Sequence, residues 1–223
     1  MGDPLHIRIT VRSARVDVRA VTGADLAVEG GHVTRHRDGA VDVTSSRSAI
    51  EVVCPAGSSV TVSTASGSVT TRGRLGVVRV VTASGRVEVE HAEEIEIRTV
   101  AGRVEVGECA GSCRVTSKSS RIEVGTANVV ELSSTSGRVS VRQADLASAR
   151  TVSSRIEIGA TSAARVSAHT ISGRVEVRVL GRLPARMHLH SRTGAVERKV
   201  PEGEGGAHIE ASSTSGSIVV DRG

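Results

Sequence analysis

One short phrase, Thr-x-Ser-Gly-Arg-Val/Ile-Glu-Val, is written over and over along this chain, and that recurrence constrains the fold more than any other feature. With its Gly position as a marker, the phrase falls at Gly67, Gly85, Gly102, Ser120, Gly137, Ser154, Gly173, Gly194 and Gly216, with an imperfect copy around Ser48. From Gly67 onward the steps are 18, 17, 18, 17, 17, 19, 21 and 22 residues. So constant a step marks a solenoid, in which each repeat is one structural unit that buries its apolar face only against its neighbours.

Within each copy apolar residues alternate with polar ones, as in Val87/Val89, Val104/Val106, Ile122/Val124 and Ile156/Ile158. Alternation at period 2 reads as a half-buried strand. A second alternating pair follows about nine residues on, for instance Val78/Val80, Ile95/Ile97, Cys113/Val115 and Val130/Leu132, so each repeat carries at least two strands. Only residues 143–149 read as helical, because elsewhere the chain is β-branched and punctuated by Gly and Ser. Hairpins would need Asn-Gly-like turns every 8–12 residues or so, which are largely absent. The expected fold is therefore all-β: a parallel β-helix, or β-solenoid, with 17–18-residue coils. A right-handed coil is expected, since parallel crossovers take that hand. Residues 1–37, where the phrase is weak, read as degenerate leading coils or an N-terminal cap, and residues 38–223 as one continuous repeat domain.

Composition agrees. The 223 residues include no Phe, Tyr or Trp, although aromatic rings ordinarily supply much of a core. An interior only two β-branched side chains thick would exclude rings while accepting Val, Ile, Ala, Ser and Thr.

The phrases at 82–89, 99–106 and 135–141 resemble those of the bacterial "putative adhesin" β-helix family, a domain of unknown function built on Thr-x-Ser-Gly-x-Val-x-Val repeats. The resemblance covers residues 38–220 or so. It implies a parallel β-helix and supplies no catalytic residues.

Candidate chemistry lies on the outward positions. Arg86, Arg103, Arg121, Arg138, Arg155 and Arg174 occupy one phase of the repeat and would form a column, the candidate interaction face. Such a column could grip a polyanion. Glu88, Glu105, Glu123, Glu157 and Glu176, however, follow two residues later on the same face and would neutralise it, whereas Ser140 leaves Arg138 without that neighbour. Hydroxyls at Thr82/Ser84, Thr135/Ser136, Thr151/Ser153 and Thr214/Ser215 read as corner residues that bond the backbone, not as nucleophiles. No Gly-x-Ser-x-Gly elbow occurs. Cys54, Cys109 and Cys113 are odd in number and lack zinc-site spacing even with His91 as a third ligand, so they read as small core residues. His188/His190 and His32/His36 read as surface strand or loop residues.

These observations lead to a non-enzymatic structural or interaction module, with no catalytic, cofactor or metal residues and no small-molecule substrate. The expected partner is a protein or a second copy docked end to end, the C-terminal phrase at 217–223 leaving an open coil. A binder of anionic polymers or glycans through the arginine face is the alternative, and a polysaccharide-active enzyme a remote third. Net charge is +5, and no stretch approaches a membrane span. Without a leader at Met1 to His6 the expected location is cytoplasmic, or extracellular if a leader has been removed.

Overall fold

The computed structural model describes residues 3–45 and 49–223, so the copy around Ser48 lies outside the described residues. It is all-β, with no helix among the described residues. The strands are β1 His6–Ser13, β2 Arg15–Val21, β3 Ala27–Glu29, β4 His32–Arg35, β5 Ala40–Ser45, β6 Ala49–Pro55, β7 Ser59–Thr170, β8 Val175–Val179, β9 Arg186–Ser191, β10 Val196–Arg198, β11 His208–Ser213 and β12 Ile218–Arg222. β7 is 112 residues of laddered backbone that keeps its strand pairing through successive corners. Residues 143–149, expected as helix, belong to it: Ala144, Ala147 and Ala149 are buried as in the other strands. Pairing with flanking coils outweighs a weak local helix propensity.

The chain divides into two compact units, residues 1–110 and 111–223. In the first, two ladders face each other. β1 pairs in parallel with β5 on one side and with residues 59–66 of β7 on the other, which puts Ile7 between Val41 and Val60 and Ile9 between Val43 and Val62. β2 pairs in parallel with β6 and with residues 69–72, aligning Val16 with Ile50 and Val69. All of these side chains are essentially solvent-free. The layer between the ladders is one Val or Ile deep from each side, which is why no ring fits.

Chain order and spatial order diverge here. The earliest strands, β1 and β2, lie between β5/β6 and β7. Outside β6 and β5 run the short antiparallel strands β3 and β4. β4 reaches β5 through a tight turn in which the Gly39 amide donates to the His36 carbonyl (3.1 Å), with Gly39 at φ +82°. Hairpins are thus present at this edge, where short antiparallel strands blunt what would be an open ladder.

The second unit repeats the device. Residues 156–160 of β7 pair with β8, β8 with β12, and β12 with β10, all in parallel. On the facing ladder residues 165–170 pair with β11, and β11 with β9. The core rows run Ile156, Val175, Ile218, Val196 and Val166, Ile209, Met187. The C-terminal strand expected to be open is therefore enclosed on both sides, and the outermost coil of this unit is β9 and β10. Enclosure ties a chain end, otherwise prone to fray, into two sets of ladder hydrogen bonds.

Glycines record the same order. A side chain on Gly85 would overlap the carbonyl oxygen of Gly67, and one on Gly102 that of Gly85. In the second unit one on Gly173 would overlap the carbonyl of Ser154, one on Gly216 that of Gly173, and one on Gly194 that of Gly216.

Candidate interaction faces

Beside the glycine corner one hydroxyl per coil turns inward. Thr64, Thr82 and Thr99 are buried and donate to the carbonyls of Ser66, Ser84 and Ala101 at 2.9–3.0 Å. Ser134 does the same toward Ser136 at 2.8 Å, and the buried Thr151 hydroxyl donates to that of Thr170 at 3.0 Å. The corner reading holds, with a shift of one residue in two copies: Ser134 and Ser213 are buried where Thr135 and Thr214 are exposed. The Thr64, Thr82, Thr99 and Ser134 hydroxyls thus satisfy corner carbonyls.

The three cysteines are buried thiols that form no disulfide, and burial pushes the Cys54 thiol above its ordinary range. His91 stands outside, near Glu90 (3.8 Å) and Glu108 (3.4 Å). Among the described residues no three His, Cys, Asp or Glu side chains are placed to hold a metal ion.

The predicted arginines all project outward, and most meet their glutamates. Arg86 lies 3.4 Å from Glu88 in the first unit, where Arg103 also pairs with Glu105. In the second, Arg121 lies 3.9 Å from Glu123 and Arg155 2.6 Å from Glu157. Arg138 is exposed and makes no ion pair among the described residues. Glu176 is a hub: Arg155 reaches it at 3.0 Å, Arg174 at 3.9 Å and Arg178 at 2.9 Å, and its side chain is only 13% exposed. Glu157 lies directly beside it in register, so Arg155 also separates two like charges.

The Arg178 guanidinium, with Nε and a terminal nitrogen both donating to Oε1, is the largest influence on the Glu176 carboxyl and holds it below the usual carboxylate range; burial works the other way, and Arg155 adds to the lowering. A depressed folded pKa stabilises the fold at every pH above the ordinary value, and the contribution fades as pH falls through the depressed one. Glu176→Gln should cost about 1–2 kcal/mol at pH 7 and less near pH 3. Urea midpoints at the two pH values check this; an equal loss at both would mean that charge is not what Glu176 contributes.

In each unit the facing ladder carries a second set of ion pairs, not anticipated from sequence. Glu96 accepts from Arg98 at 2.6 Å and lies 3.4 Å from Arg79 in the first unit, and Arg114 pairs with Glu131 at 2.7 Å in the second. Arginine and glutamate exchange places between successive coils, a signal visible only once strands are aligned.

That ladder changes character at the end of the second unit. Strand register sets Arg165, His208 and Arg186 side by side, then Ser167, Glu210 and His188, then His169, Ser212 and His190. The His188 and His208 rings meet edge to face with centroids 5.8 Å apart, and His169 Nδ1 lies 2.6 Å from the Ser212 hydroxyl. Arg186 pairs with the loop residue Glu204. Among the described residues Arg165 has no acidic partner. The block is invisible in sequence, because His169 and His208 are far apart in the chain and become neighbours only through the enclosed position of β11.

No protein of curated function matches the chain. A crystal structure from Bacteroides fragilis NCTC 9343, described as a putative adhesin, aligns at 13% identity over 99% of this chain and 93% of its own, with a TM-score of 0.48. A second, from Clostridium sporogenes ATCC 15579 and described as a putative cell adhesion protein, aligns at 7% identity over 99% and 94%, with a TM-score of 0.23. Among the described residues no helix is long and apolar enough to cross a membrane. The Toastrack DUF4097 family model matches residues 3–222, and with its glycine-cornered parallel coils this chain belongs to that family of unknown function.

Proposed function

We propose that this chain is a non-enzymatic interaction module that holds flat sheet faces toward an extended partner. The observation that carries this reading is the division of its polar groups: the corner hydroxyls of Thr64, Thr82, Thr99 and Ser134 and the thiols of Cys54 and Cys109 turn inward and bond backbone, while outward positions bear Arg and Glu, many of them in pairs. The reading takes the coils as right-handed and 17–18 residues long, supported by the crossover preference and the regular glycine steps. It treats the paired arginine column as a device that fixes coil register, and expects binding where charges lack partners. Incubated with a panel of acidic and neutral polysaccharides, the protein should release no new reducing or unsaturated sugar ends. Their release would overturn the non-enzymatic reading.

End-to-end assembly is a second reading, favoured by one feature. β9, six residues long, pairs with β11 on one side and with no strand on the other among the described residues. Such an edge can accept another strand, although Arg186, His188 and His190 along it are the kind of charged edge that discourages this. Sedimentation over a hundredfold range of concentration tests it, and a constant monomer mass rules it out.

A further inference from the structure

The face formed by residues 165–170, β11 and β9 carries more cationic and imidazole groups than acids, and we infer that it is a binding surface for an acidic polysaccharide, a chain of sugar rings bearing carboxylates. The inference rests on the interaction-module reading and gives that module a site and a ligand class.

Three observations converge on it. The first is charge: Arg165, without an acidic partner among the described residues, and Arg186, which meets the exposed loop residue Glu204, flank His208 in one row, with His188 in the next, and Glu210 is the only acid on the three paired strands. Guanidinium forks bind carboxylates through two parallel hydrogen bonds, and an imidazole offers at least one N–H donor in either protonation state. The second is spacing. Neighbouring strands stand ~4.8 Å apart and outward residues on one strand ~6.7 Å apart, so donors recur at about the length of a sugar ring. A ligand with anions repeated along its length can meet several at once.

The third observation separates a glycan from a simpler polyanion. Arg165 and His208 also line a groove of about 390 Å³ whose floor is apolar, with Val129 and Leu146 39% and 45% exposed. An uncovered apolar strip running into a cationic row suits a molecule that is both, such as a pyranose ring with C–H faces and a carboxylate. Nucleic acid fits poorly, because single strands rely on aromatic platforms and this chain has no aromatic ring of that kind. Glu131, at the groove wall, is held by Arg114 and adds no free negative charge.

The test uses the full chain and biolayer interferometry against immobilised polygalacturonate, with dextran and inorganic polyphosphate as comparisons. Binding to polygalacturonate is expected, with none to dextran. The double change Arg165→Ser, Arg186→Ser should weaken it by about tenfold or more. Glu210→Gln removes the repelling carboxylate at the centre of the three strands and should tighten it severalfold, a gain that misfolding does not mimic. Arg121→Ser with Arg174→Ser, on the facing ladder of the same unit, should change it less than twofold.

Absence of binding to polygalacturonate, or binding that the Arg165/Arg186 and Glu210 changes leave untouched, overturns this surface and leaves the interaction module standing. Polyphosphate binding as tight as polygalacturonate binding and equally sensitive to those changes would also overturn it, showing a generic cationic patch. Cleavage of the polymer would instead sink the non-enzymatic reading on which the inference rests.

Discussion

Gly85→Ala should destabilise the protein by about 3–5 kcal/mol, a large part of the 5–15 kcal/mol that holds a typical domain together. Two penalties coincide at this corner. Gly85 has φ +132°, in a region that L residues rarely enter, and a Cβ there would overlap the carbonyl oxygen of Gly67 in the adjoining coil. Backbone cannot swing aside as a flexible side chain would, so the coils must separate and lengthen ladder hydrogen bonds on both faces. Gly23 provides the control: its φ is +76°, yet a Cβ would meet nothing within 4 Å. Gly23→Ala should cost only the conformational penalty of about 1–2 kcal/mol. Urea denaturation of the two variants separates the effects, and equal costs would show that close coil approach contributes nothing at the glycine corner.

Deleting residues 207–223 should strip hydrogen-exchange protection from β9 and β10, although neither strand is altered. β11 and β12 are the strands that join them to the rest of the second unit, since β11 pairs with both β9 and residues 165–170, and β12 with both β10 and β8. Without them, β9 and β10 lose their only ladder partners among the described residues. A sequential stack predicts the reverse, with residues 186–198 persisting as the new last coil. Protection of these amides in the truncated protein, read by exchange and mass spectrometry, would contradict the strand order described above. The expected loss is complete for β9 and β10 and partial for β8, which keeps its pairing with residues 156–160.

Much of this architecture is legible in single residues. Alternation at Val87/Val89 and Ile156/Ile158 announces strands because a strand turns each second side chain inward, whatever its partner. The Arg-x-Glu spacing predicts pairs such as Arg155 with Glu157 because residues two apart share a face. Asp38-Gly39 was a hairpin signal of the kind that joins β4 to β5, overshadowed by the turn-poor repeats that follow. The Arg/Glu exchanges of the facing ladders, such as Arg114 with Glu131, and the meeting of Arg165, His208 and Arg186 depend on which strands are neighbours.

By itself, then, the sequence determined the coil: two alternating strands, an inward hydroxyl, a glycine corner and an interior too thin for a ring. Each follows from local chemistry at a fixed period. Only the tertiary structure decided the order of the coils, because a repeated phrase offers nearly the same apolar rows and glycine corner to every copy of itself. Enclosing β1/β2 and β11/β12 within their units gives both early and late strands two ladder partners, and that choice brings the distant histidines and arginines of the second unit onto one face.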